Sequence, residues 1–127
     1  MRIVRRTLSF SVLLLAVWWV DTDATRIRRA LQAPMDIFHG VATSAEMHQI
    51  KKVVLAERAL NGRYPSAREL ASVLARYYPS RPRGALFDSW DSPYFYLLSD
   101  RRVSLHSSGP DHRMGTRDDL ILSWEVE

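Results

Sequence analysis

The chain has no cysteine. That absence excludes a disulfide framework, a thiolate nucleophile and a thiolate metal site together. Glycine is scarce, with five residues in 127, and there is no uninterrupted apolar run of the length that spans a bilayer with ease. An aromatic-and-basic signature of the RNA-binding kind is missing as well, although 18 Lys and Arg against 14 Asp and Glu give a formal net charge of +4 and a pI near 9.8. The arginines are dispersed, and Arg2, Arg5 and Arg6 sit in front of an apolar segment. The basic excess therefore points away from nucleic acid, and no nucleic-acid partner is expected. A chain of 127 residues suits one modest folded unit with an appendage.

What is present begins at the N-terminus. Thr7 to Val20 carries no charge, follows Arg5 and Arg6, and stops at Asp21. A positive flank, an apolar centre and a polar stop are the layout of an export signal. About 14 residues at roughly 1.5 Å each make a helix of about 21 Å, short of the roughly 30 Å of a hydrocarbon core. Residues 1–24 thus read as a signal or a membrane anchor. One reading cuts the chain after Thr22-Asp23-Ala24; the other retains a short anchor with Trp18 and Trp19 at the interface, and is slightly favoured. In both, the basic end stays inside and the remainder lies outside. Residues 25–43 read as a connector, helical in part, because Arg26, Arg28 and Arg29 are followed by Pro34, which a helix interior tolerates only with a kink or break.

Residues 44–127 carry the folded part. Thr43 with Glu46 is a capping pattern, and Met47, Ile50, Val54 and Leu60 recur at helical spacing until Asn61-Gly62, which predicts a helix from Ser44 to Leu60. Ser66 with Glu69 repeats the pattern ahead of Leu70, Val73, Leu74 and Tyr77, a second amphipathic helix that Pro79 ends. Ser80 to Ala85 is a loop by its proline and glycine content. The period then shortens: Tyr94–Leu98, Val103–His106 and Leu120–Trp124 are β-type runs, the first two joined by a hairpin at Ser99–Arg102. The fold class expected is α+β, helices first and a small three-stranded antiparallel sheet last.

Ser107 to Asp119 is the segment richest in chemistry. Asp111, Asp118 and Asp119 offer hard oxygen donors, Gly109 and Gly115 allow sharp turns, and Pro110 fixes the approach to Asp111. Calcium takes six to eight such oxygens at about 2.3–2.6 Å in irregular geometry. The same residues are also ordinary turn chemistry, with a solvated Asp pair before a strand. Arg113 and Arg117 stand close enough in sequence to pair with the acids instead of an ion. The four histidines, His39, His48, His106 and His112, include no pair at helical i, i+4 spacing, so no transition-metal site is expected. Ser107 and Ser108 adjoin His106 in sequence only, and Asp88 and Asp91 flank Trp90 as turn residues, so catalysis is not expected.

Three strings stand in fixed order: Asn61-Gly62-Arg63-Tyr64-Pro65 after a helix, Asp88-Ser89-Trp90-Asp91-Ser92-Pro93-Tyr94-Phe95-Tyr96 leading into a strand, and Ser108-Gly109-Pro110-Asp111 opening a loop that ends at Asp118-Asp119-Leu120. Together they resemble the C-terminal domain of the major pseudopilin family of type II secretion systems, over Ala45 to Leu122. The resemblance implies a pilin-like fold with a long N-terminal helix, an inner-membrane anchor and a periplasmic domain, and partners among other pseudopilins or secretion-machine subunits. It also implies a calcium ion held by Asp111 and Asp119 side chains and the Ser108 carbonyl, with Asp118 as ligand or support. The chain departs from the family at its start, where Arg-Arg-Thr-Leu-Ser-Phe lacks the glycine of a prepilin peptidase site and the glutamate that follows it. In place of the glycine after the loop aspartate it has His112. The alternative reading is a free periplasmic or secreted calcium-binding domain of pilin-like fold, released by signal cleavage.

Overall fold

The structure, a computed structural model, describes residues 4–80 and 85–126, with side chains from residue 26 onward apart from residue 27. The chain is α+β: helix α1 (Val4–Asn61), helix α2 (Ala67–Tyr77) and strands β1 (Phe95–Leu98), β2 (Arg102–Ser107) and β3 (Leu120–Glu125). It divides into two compact units, Met1–Asp36 and Ile37–Glu127. The side chains of the 1–24 signal or anchor segment lie outside the described residues, as does the Arg81–Gly84 part of the expected loop. Among the described residues no helix is long and apolar enough to cross a membrane.

In the first unit α1 runs through Pro34. Proline removes the N–H that would bond to the Ala30 carbonyl. Strong helix formers on both sides, Leu31, Gln32, Ala33 and Met35, carry the ladder past that one gap.

In the second unit the expected helix from Ser44 is the continuation of α1. Thr43 does not cap it. Thr43 is fully buried, and its Oγ1 accepts the Ser89 N–H at 3.1 Å; the carboxylate of Glu46 accepts the Tyr94 hydroxyl at 3.1 Å. The capping residues thus serve long-range contacts, and a helix already propagating needs no nucleus there. Thr43, Met47, Ile50, Val54 and Glu57 follow one another at intervals of three and four and are all buried, which makes one face of this stretch the floor of the core.

α2 keeps its expected start. Ser66 and Glu69 form a capping box, with the Ser66 N–H donating to Glu69 Oε2 at 2.8 Å, so orphan donors of the first turn are satisfied locally. Leu70, Val73 and Leu74 point inward, and the helix closes where Tyr78 N–H reaches the Leu74 carbonyl at 2.8 Å.

The sheet order is β1-β2-β3, antiparallel throughout. Tyr96 pairs with Leu105 and Val103 with Trp124, whereas Phe95 and Ile121 both pair with His106. Because side chains alternate across a strand, the first set faces α1 and α2 and the second faces outward. Val103 and Leu105 are fully covered and join Tyr96 and Trp124 to Met47, Ile50, Val54, Leu70, Val73 and Leu74 in one cluster. Each such aliphatic side chain contributes about 1.5–3 kcal/mol by leaving water. This core fixes the two ends of the segment between β2 and β3.

Candidate functional site

Building the Ser107–Asp119 segment starts one loop earlier. Asp88 is buried, and its carboxylate is surrounded by donors: Oδ1 accepts the N–H of Trp90 at 3.0 Å and of Ser92 at 2.8 Å, and Oδ2 accepts the Ser107 hydroxyl at 2.5 Å. Aspartate favours this local side-chain-to-backbone turn. The ring is completed by Asp88 N–H to the Ser92 carbonyl at 2.8 Å, with Asp91 in the left-handed region at φ 62°. Ser107, also buried, accepts the Gly109 N–H at 3.2 Å through the same oxygen it donates from. A single carboxylate therefore joins the 88–92 turn to the end of β2.

Ser108 leads into a short 3-10 turn, Gly109–Asp111. Gly109 has φ +64°, and a Cβ there would stand 2.2 Å from the Asp118 carbonyl oxygen. Glycine is required twice over, by the backbone angle and by the contact, so both ends of the loop touch backbone to backbone. His112 follows with φ 56°, which brings its Nδ1 to 2.5 Å from the Ser92 hydroxyl. The loop is tied to the 88–92 turn a second time.

Of the predicted ligands, Asp111 and Asp118 are exposed, Asp119 is half-buried and Ser108 is buried. Asp111 Oδ1 accepts the Arg113 N–H at 2.9 Å, and Asp119 Oδ2 accepts the Gly115 N–H at 2.7 Å, with its Oδ1 3.3 Å from the Thr116 hydroxyl. Each of these carboxylates serves its own turn. The backbone of Asp118 lies where a side chain at Gly109 would stand. Among the described residues no three His, Cys, Asp or Glu side chains are grouped so as to hold a metal ion, and the described ion pairs include neither Arg113 nor Arg117. The donor types suit calcium, and carboxylate oxygens engaged by one N–H retain lone pairs for a cation. What Ser108, Asp111, Asp118 and Asp119 share is the loop rather than a gathered cage.

The histidines are apart. His48 Nδ1 bonds the Ser44 carbonyl at 2.8 Å, His106 Nε2 meets the Ser104 hydroxyl at 3.1 Å, and the His39 ring stands edge-on to Trp90 with centroids 5.8 Å apart. Neither Ser107 nor Ser108 bonds His106; Ser107 gives its proton to Asp88 instead. Ser92, which meets His112, is buried, so its hydroxyl acts as a tie.

A second concentration of polar groups lies where α1 ends. Glu57, nearly covered, accepts Arg76 at 2.5 Å and Asn61 Nδ2 at 2.7 Å through one oxygen, and Arg63 forms a two-point pair with Glu69 at 2.6 and 2.8 Å. The Arg63 guanidinium, aided by the Ser66 N–H and hydroxyl, holds the Glu69 carboxyl well below the usual carboxylate range. Burial, followed by the nearby Glu46 charge, pushes the Tyr94 hydroxyl well above its ordinary value. Burial alone accounts for most of the rise of Tyr96 to about 12.

Sequence reasoning missed the ties of Asp88 to Ser107 and of Ser92 to His112, and the seating of Glu57. The Asp-x-Trp-x-Ser pattern was the one available signal, since it marks an aspartate positioned to accept N–H groups two and four residues on.

Comparison with known protein families, characterised proteins and solved structures returns no match.

Proposed function

We propose that the chain is a pilin-like structural subunit or accessory protein of a type II secretion or type IV pilus-type machine, acting by protein contact. The observation that carries this reading is α1. A helix of 58 residues supplies, from Thr43 onward, the floor of the domain core, while Ile37, Phe38 and Val41 stand in solvent, Phe38 at 70% exposure. Apolar side chains grouped in the open mark a contact surface. In this reading the N-terminal segment anchors the chain in the inner membrane, the domain lies in the periplasm, and the partners are other pseudopilins or machine subunits. In this reading oxygens of Ser108, Asp111, Asp118 and Asp119 hold a calcium ion that stiffens the loop before β3.

The absence of cysteine supplies a clean test. A Phe38→Cys variant, its thiol the only one in the chain, is oxidised in the envelope of expressing cells. A cross-linked species is expected for Phe38→Cys and not for Lys52→Cys, exposed on the domain part of the same helix. If both stay monomeric, or cross-link equally, the reading fails.

A released domain is the second reading, favoured by the compact unit Ile37–Glu127, which holds the buried core found among the described residues. Sequencing the N-terminus of the mature protein separates the two, a start near Thr25 identifying the released form.

A further inference from the structure

We infer that the corner between the end of α1 and α2 docks a protein segment that presents a carboxylate beside an apolar side chain. Two clefts meet there at the Glu57–Arg76 ion pair. The first, about 450 Å³, is lined also by Asn61, Arg63 and Glu69. The second, about 260 Å³, adds Leu60 and Tyr77.

The four charges cancel in number but not in access. The Arg76 side chain is 63% exposed against 7% for Glu57, and Arg63 is 65% exposed against 41% for Glu69. In both pairs the cation is the member an approaching molecule meets. At close range the two guanidinium groups are the more accessible charges, which favours an acidic group over a basic one as the contact. A guanidinium has five N–H donors. The bonds to Glu57 and Glu69 occupy one from Arg76 and two from Arg63, which leaves donors on each for a further carboxylate. Their own carboxylates already hold both arginines in place, so less side-chain freedom is lost when a partner binds.

Charge alone does not make this a docking surface, because exposed ion pairs contribute little in water. The second cleft supplies what is missing. Leu60 is 75% exposed and Tyr77 40%, and an apolar side chain laid across them removes water from the adjoining Arg76, where a carboxylate contact gains strength. An isolated small acid meets one half of this requirement and a greasy segment the other. The corner lies wholly in the Ile37–Glu127 unit, and the inference does not depend on the secretion-machine reading.

A displayed library of random peptides, selected against the full chain, tests it. The enriched peptides are expected to carry Asp or Glu within a few positions of Leu, Ile or Phe. The best of them, labelled for fluorescence anisotropy, is expected to bind roughly tenfold more weakly to Arg76→Gln and to Leu60→Ser, and more weakly as salt rises. Arg76→Gln unpairs a nearly buried carboxylate; Leu60→Ser changes only an exposed side chain and reads binding apart from folding. The inference is overturned if nothing is enriched, if the enriched peptides are basic, or if Leu60→Ser and Arg76→Gln bind the peptide as the unaltered chain does.

Discussion

Asp88 and Asp91 flank the same tryptophan and differ in everything else. Asp88 is buried beneath three donors, whereas Asp91 is exposed and reaches Asp88 only through its backbone N–H. Replacing Asp88 by Ala strands two N–H groups and the Ser107 hydroxyl in a covered place, and about 2–4 kcal/mol of stability is expected to go. Asp91→Asn is expected to change stability by less than about 0.5 kcal/mol. Urea denaturation of the two variants compares them directly. Tyr96 makes a prediction in pH. Its hydroxyl donates to the Pro65 carbonyl at 3.0 Å, and burial raises it from 10.0 to about 12. A group whose folded value lies above its unfolded one gives stability that is whole below the unfolded value, so the domain is expected to hold steady up to about pH 10. Above that the unfolded chain ionises first, and stability falls until about pH 12. Tyr96→Phe, measured by denaturation across the same range, is expected to flatten part of that fall; an identical slope would remove Tyr96 as its source.

Among the elements, α2, the three strands and the Ser99 hairpin were legible in the sequence because their signals are local. Ser66 and Glu69 lie within one turn of each other, and the strands are short β-type runs separated by turn residues. The resemblance implied a long N-terminal helix, and α1 is one; its continuity was not legible in the local signals. Thr43 and Glu46 imitate a helix start, and only the fold shows that they answer to Ser89 and Tyr94, 46 and 48 residues away. The same distance problem concealed the second tie of the loop. Gly109, Pro110 and the aspartates announced a turn, but nothing near His112 in sequence points to Ser92, 20 residues earlier. Gly109 is the position where the loop is least tolerant. Gly109→Ala places a methyl 2.2 Å from the Asp118 oxygen at a backbone angle alanine resists, so the loop ends must separate. A loss of about 2–4 kcal/mol is expected. Gly115→Ala shares the positive φ but meets nothing within 4 Å, and its loss is expected to stay near 1 kcal/mol. Equal losses in thermal melts would dismiss the contact as the cause.

At the scale of the molecule, the calcium part of the proposal is answered by one comparison. An ion that binds only the folded chain raises stability by mass action. The thermal midpoint is therefore expected to rise in millimolar calcium and to return on chelation, and Asp111→Asn with Asp119→Asn to erase the difference. A midpoint indifferent to chelation withdraws calcium and leaves the loop to its protein ties.

One feature of the sheet bears on how the protein behaves in a tube. Its three strands have two outer edges that pair with no strand among the described residues, and β1, with Phe95, Leu97 and Leu98 exposed, is the more apolar edge. An unpaired apolar edge is a template for a further strand. Concentrated samples are expected to coarsen through β1 before they unfold, with light scattering rising while circular dichroism holds. Leu97→Lys, on the outward face of that strand, is expected to delay the scattering without moving the melt.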